Sequence, residues 1–214
     1  WLEHPPVTRE VAGSSPVDCA LQDNVLKYRK TAQRGGLSGA NAEGILNARS
    51  KPEKFGEDVG GVILDFIRYF DTDLDFRGDN YLQTPEIEGA IDSIAELNKG
   101  RFKDRVHVVT RYDTTHGPGR VIEWLESKDF FGRTGIPMER YHPCAERHEK
   151  APICVELGIT HFVDDRAEVL SHMIGQVENL YLFKSPDAEK EEFASVLPNL
   201  KKIGSWKELL GQLK

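Results

Sequence analysis

The residues best suited to chemistry in this chain stand directly behind or ahead of its apolar runs. Asp65 follows Gly61-Val62-Ile63-Leu64, Thr110 and Arg111 follow Val106-His107-Val108-Val109, and Asp164-Asp165 follow Thr160-His161-Phe162-Val163. Lys150 opens the segment that leads into the last of these runs. An Asp, a small hydroxyl, a Lys and an acidic pair are the parts of a phosphoryl-transfer site. The first Asp would attack phosphorus, the pair would hold Mg2+, and Thr and Lys would bind the non-bridging oxygens and offset their charge. On this reading Asp65, Thr110 and Lys150 are catalytic, and Thr110, Arg111 and Lys150 bind substrate. Asp65, Asp164 and Asp165 are the metal ligands. Taken singly, each has a plainer role: Asp164-Asp165 could cap a helix starting near Ala167, Asp65 could cap or pair, and Thr110 and Lys150 could be a turn residue and a solvated lysine. Only the ordered set argues for chemistry.

The elements that must position these groups are legible from Gly60 onward. Continuous apolar runs at 61–64, 106–109, 160–163 and 180–183 read as strands buried on both faces, with a weaker candidate at 140–142. Between them, apolar stripes at helical spacing predict helices over 85–97, 120–125, 150–157 and 167–174, with a last helix from Ser205, three residues before Glu208 in capping-box spacing. Strands alternating with helices imply a parallel sheet with helices on both faces, and ligands of such sheets collect at the carboxyl ends of the strands. His107 and His161 lie inside apolar strands and are expected to be packed rather than to bind metal, and Trp124 is expected in the core. Asp71, Asp73 and Asp75 read as a solvated acidic loop, without the Gly and terminal Glu of a calcium loop.

Residues 1–58 are rich in Pro, Gly, Ser, Asn and charge and bury too little to offset their ordering entropy. Only 25–30 and 42–48 could form a turn or two of helix. The domain division is therefore 1–58, a poorly structured extension, and 59–214, one α/β domain. The string Glu10-Val11-Ala12-Gly13-Ser14-Ser15-Pro16-Val17 resembles a conceptually translated tRNA-gene T-arm, which suggests a true start downstream; an ordinary flexible tail is the alternative. A mature N-terminus before residue 10, found by N-terminal sequencing, would refute the downstream start.

The formal net charge is −7, which argues against a protein whose main task is gripping nucleic-acid phosphates. No apolar run approaches the roughly 20 residues of a membrane helix. Cys19, Cys144 and Cys154 form no CxxC pair and no metal-ligand spacing, so a reducing cytoplasm is the expected compartment.

Taken in order, these motifs resemble those of the haloacid dehalogenase-like superfamily. Gly61-Val62-Ile63-Leu64-Asp65 looks like its first motif, Val106-His107-Val108-Val109-Thr110 like its second, Lys150 like its third, and His161-Phe162-Val163-Asp164-Asp165-Arg166 like its fourth. The resemblance spans residues 60–213, and Asp164-Asp165-Arg166 followed by Glu168-Val169-Leu170 is most similar to the nucleotidase-type branch. It implies a three-layer sandwich with a central parallel sheet of Rossmann type and a Mg2+-dependent phosphatase working through an aspartyl-phosphate. The substrate would be a phosphorylated small molecule or nucleotide. Neither the stretch between Asp65 and Thr110 nor that between Thr110 and Lys150 holds a full cap domain, so the site would be open to a large substrate or a covering protein partner. One position departs from the pattern. The family's phosphatases carry a second Asp two residues after the nucleophile, and in this register the position is Ile67, followed by Arg68. Asp71 and Asp73 offer an alternative register, disfavoured because Arg68 would interrupt a central strand. The rivals are an impaired relative that binds a phosphorylated ligand or a protein, which Ile67 favours, and a dehalogenase, which leaves the acidic pair without a purpose.

Overall fold

The computed structural model describes residues 52–185 and 191–214. Six parallel strands form one sheet: β1 (Phe55–Glu57), β2 (Val106–Arg111), β3 (Tyr141–Cys144), β4 (His161–Asp164), β5 (Asn179–Phe183) and β6 (Lys201–Ile203). Their spatial order is β3-β2-β1-β4-β5-β6. The chain lays β2 and β3 on one side of β1, then crosses to lay β4, β5 and β6 on the other. That reversal makes the β1/β4 boundary the switch point, where the carboxyl ends open a crevice.

Alternation along the strands divides the core into two layers. Phe55, Val106, Val108, Val163, Tyr181 and Phe183 point to one face, covered by α1 (Ala90–Lys99), α2 (Gly119–Ser127), α3 (Phe130–Thr134) and α6 (Trp206–Leu213). Val109, Phe162, Leu180 and Leu182 point to the other, covered by α4 (Lys150–Leu157) and α5 (Ala167–Ser171). The three-layer parallel architecture is thus as expected. α1 buries Ile91, Ile94 and Leu97 on its sheet side, each contributing roughly 1.5–3 kcal/mol by transfer from water. α6 begins as its sequence predicts, with the Glu208 backbone N–H donating to Ser205 Oγ at 3.1 Å. Trp124 is fully buried and donates its indole N–H to the Thr84 carbonyl at 2.8 Å.

The first strand is a correction. Residues 61–64 do not form it; they fold into a tight turn around Val59, whose carbonyl accepts from the Ile63 and Leu64 N–H groups at 2.8 and 2.9 Å. Gly61 stands at φ 73°, a left-handed conformation that no strand contains. Val62, Ile63 and Leu64 are buried, so the run is apolar because it packs under the sheet's rim, not because it crosses the sheet. The true strand, Phe55-Gly56-Glu57, hides behind its composition. Gly56 lies against Phe162 of β4, where a Cβ would meet the ring at 2.7 Å, and Glu57 is fully buried without a hydrogen-bond partner. Burial pushes the Glu57 carboxyl well above the usual range. A division at residue 58/59 therefore cuts through the core: residues 55–57 belong to the sheet. Residues 1–51, with the two short helices expected there and the T-arm-like string, lie outside the described residues.

The helix expected over 85–97 starts only at Ala90, because residues 85–87 are occupied closing the loop. Asp65 N–H donates to the Pro85 carbonyl at 3.0 Å and Ile87 N–H to the Ile63 carbonyl at 2.6 Å. Gly89, at φ 73°, then turns the chain into α1.

His107 and His161 are packed, as their neighbours predict. Burial, followed by the positive charges of Lys54 and Arg140, lowers His107 to about 4; burial and Arg101 do the same for His161. The folded values lie below the ordinary 6.5, so the stability these rings contribute is complete above pH 6.5 and is lost as pH falls towards 4. The melting temperature should fall over that window, and His107→Gln should flatten the slope by roughly a few degrees; an unchanged slope would contradict the assignment. Among the described residues no helix is long and apolar enough to cross a membrane.

Candidate active site

The strands that end at the crevice deliver the candidate groups. β1 is followed directly by Asp58, whose backbone N–H still donates to the Val163 carbonyl of β4 at 3.1 Å. β4 ends in Asp164 and continues into Asp165. On the other side of β1, β2 delivers Thr110, 1 % exposed. Lys150, the first residue of α4, is 2 % exposed and reaches across the crevice to both strands. Its Nζ lies 2.9 Å from Asp58 Oδ2 and 2.7 Å from Asp164 Oδ2.

The structure therefore gathers Thr110, Lys150, Asp164 and Asp165 as the sequence predicts, with Arg111 on the wall of the same cavity. It does not bring Asp65 to them. Asp65 stands beyond the 61–64 turn, its carboxylate beside Arg68, and lies outside the cavity lining. The place expected for Asp65 is taken by Asp58, which sequence reasoning missed. Ile67 is 46 % exposed, which fits a loop position rather than a reaction centre. Asp71 and Asp73 are also absent from the lining; Asp71 instead pairs with Arg77, 3.3 Å away. The signal available for Asp58 was Asp58-Val59-Gly60-Gly61, an acid with paired glycines one residue beyond it, the composition of a backbone that must approach something closely. Gly61 bears this out, since a Cβ there would overlap the Asp165 carboxylate.

The electrostatics of the site are unbalanced. Asp58, Asp164 and Asp165 are all buried, and one carboxylate oxygen from each lies within 4.8 Å of the others. Burial and then neighbouring negative charge raise the Asp165 carboxyl well above its ordinary value. Burial also raises Asp164, against the pull of Lys150. Burial alone would lower Lys150, but Asp164 and Asp58 outweigh it and hold the ammonium firmly charged. Two carboxylate oxygens at this point, Asp58 Oδ1 and Asp165 Oδ2, are buried without a hydrogen-bond partner. Such oxygens cost roughly 1–3 kcal/mol each when left bare, more when charged. A hard divalent cation with oxygen ligands satisfies them and removes the excess charge, so these residues fit Mg2+.

Lys150→Met keeps the stem and removes the buried positive charge of the cluster. It should cost about 3–5 kcal/mol in urea denaturation without divalent cation, with Mg2+ recovering part of the loss. A loss under 1 kcal/mol would mean that Lys150 is not the counter-charge of the trio.

A cavity of about 250 Å3 adjoins the cluster, lined among others by Asp58, Thr110, Arg111, Asp113, Lys150 and Asp165. The loop between β1 and α1 contributes Phe66, Phe76 and Arg77 to its wall. No separate domain is inserted among the described residues on either side of Thr110.

No family model matches the sequence, and no curated protein matches it. Solved structures do. A D,D-heptose 1,7-bisphosphate phosphatase from Burkholderia thailandensis aligns at 14 % identity over 75 % of this chain and 97 % of its own, with a TM-score of 0.45. A protein described as a haloacid dehalogenase-like hydrolase from Burkholderia xenovorans aligns at 12 % identity over 74 % of this chain and 97 % of its own, with a TM-score of 0.51. With its all-parallel six-stranded sheet, helices on both faces and a crevice at the β1/β4 switch, the chain has the haloacid dehalogenase-like α/β fold.

Proposed function

We propose that this protein is a Mg2+-dependent phosphomonoesterase that works through an aspartyl-phosphate on Asp58. The observation that carries the reading is the pair of buried oxygens without a hydrogen bond, Asp58 Oδ1 and Asp165 Oδ2 (the latter 3.5 Å from Arg166 Nε), beside a charged buried lysine at the switch point of the sheet. Lys150 Nζ lies 2.9 Å from Asp58 Oδ2; one Asp58 oxygen would attack phosphorus while the other faces the cation. Attack on phosphorus breaks the ester P–O bond, and the departing oxygen takes its proton from water. Water then cleaves the acyl phosphate and regenerates the Asp58 carboxylate. Thr110 and Lys150 bind the non-bridging oxygens. Asp58, Asp164 and Asp165 would hold Mg2+, which supplies charge neutralisation for the incoming phosphoryl group. Nucleotides fall within the substrate class, and the acidic-pair motif shared with nucleotidases supports testing them first. The buried free thiols of Cys144 and Cys154 support a reducing compartment such as the cytoplasm as its place of action.

The test is release of inorganic phosphate from p-nitrophenyl phosphate and a panel of nucleoside monophosphates, with and without Mg2+. Turnover abolished by chelator and restored by Mg2+ is expected; metal-independent turnover would refute the reading.

Gly60 favours a second reading. In the corrected register it occupies the position where the resemblance leads one to expect the second Asp, so the chain could bind a phosphorylated ligand, or a protein seated over the exposed Ile67 and Phe70, without efficient turnover. Mg2+-dependent phosphate binding without turnover of any ester would select it.

A further inference from the structure

The reaction cavity, at about 250 Å3, is smaller than the roughly 300–1,000 Å3 typical of small-molecule sites. It is not closed, however. Arg111 and Arg147 line both this cavity and a second one of about 530 Å3 that adds Glu146, His148, Glu168 and His172. A substrate whose phosphoryl group sits by Asp58 can extend its remaining atoms past these two arginines.

The carboxylates around that passage are already committed. Glu168 pairs with Arg147 at 2.7 Å, and Glu146 accepts a backbone N–H in the capping box that starts the turn before α4. Arg111 is exposed and has no side-chain partner among the described residues. It follows Thr110 directly, so the end of β2 places a phosphoryl-binding hydroxyl and an uncommitted guanidinium side by side. Arg111 and Arg147 face Glu146 and Glu168, so the formal charges there balance. With Arg147 taken by Glu168, Arg111 is the guanidinium left without a carboxylate among the described residues, and it is matched by a planar or tetrahedral oxyanion that accepts two N–H groups.

We infer that the substrate is a phosphomonoester carrying a second anionic group, a phosphate or a carboxylate, held by Arg111 beside the Glu168-paired Arg147, where the two cavities share their lining. The inference rests on the phosphatase reading of the Asp58 site and names its substrate class.

The test compares phenyl phosphate with 4-carboxyphenyl phosphate and 1,4-phenylene bisphosphate, which keep an aryl leaving group and add one anion. kcat/KM should rise about ten- to hundredfold with the added anion, the size of a charge-assisted hydrogen-bonded contact. The two additions tell carboxylate from phosphate recognition. In Arg111→Met and Arg147→Met the preference should collapse towards unity; Arg111 is exposed, so its replacement leaves the fold intact. Equal turnover of all three esters, or a preference that survives both substitutions, overturns the inference and leaves the phosphatase reading standing. If no ester is turned over, the phosphatase reading fails, and binding of the same compounds to the wild-type protein by calorimetry decides the second subsite. An Arg111-dependent preference in Kd sustains it, and its absence overturns it.

Discussion

Asp58→Asn should lower kcat for phosphate release by at least about 10⁴-fold, while Asp65→Asn stays within about threefold of the parent. The contrast follows from where the two carboxylates stand. Asp58 Oδ2 is fixed 2.9 Å from Lys150 Nζ, and Oδ1 is buried and bare beside the acidic pair. Asp65 lies past the turn, its side chain 16 % exposed and, among the described residues, engaged with Arg68. Asparagine has the same shape as aspartate, so the variant keeps its packing, and Lys150 retains Asp164 at 2.7 Å. What is lost is the nucleophile and one negative charge facing the cation. Thermal unfolding of both variants, alongside single-turnover rates, separates a chemical loss from a folding one. Equal losses in the two variants would remove the basis for placing the chemistry at Asp58.

The second large effect concerns the leaving group. With Gly60 where an acid would be expected, the departing oxygen has no carboxyl to protonate it. The cavity's remaining carboxylate outside the trio is Asp113, which is a poor substitute. The Thr115 backbone N–H, 2.9 Å away, and then His116 hold it below the ordinary carboxylate range, so it stays ionised. A missing general acid typically costs about 10²–10⁴ in rate, and the cost falls on poor leaving groups. kcat/KM for p-nitrophenyl phosphate should therefore exceed that for glycerol 3-phosphate by a factor in about that range. Gly60→Asp should narrow the gap. A Cβ at Gly60 meets only the Phe66 ring, at 3.4 Å, so a carboxyl can be introduced without rebuilding the turn. Similar rates on both esters in the parent protein would mean that a general acid acts from elsewhere.

Most of the fold was legible because its strands are buried on both faces. Phe162 and Val163, or Leu180 through Phe183, must be apolar on either side to sit between two helical layers, and they read as such. Lys150 was legible from its place ahead of such a strand, and Asp164-Asp165 from their place at its end. β1 was not, for a physical reason. It is three residues long, one of them a glycine imposed by Phe162 and one a buried acid whose partner-free state no local pattern announces. Its strand character comes from β2 and β4 pairing on both sides, which is information distant in sequence. Meanwhile the turn at 61–64 carries the more apolar string, because it folds under the rim and packs into the core. Apolar content located the first element to within a few residues, but it could not tell a strand from a buried turn, and the candidate aspartate moved with that choice.

The measurement that bears most directly on the account is trapping of the covalent intermediate. Protein turning over p-nitrophenyl phosphate with Mg2+ is quenched, reduced with borohydride and digested, and its peptides are analysed by mass spectrometry. An acyl phosphate on an aspartate is reduced to homoserine, and the account predicts that conversion at position 58 alone. Homoserine at position 65, or no converted aspartate in protein that is turning over substrate, would contradict it.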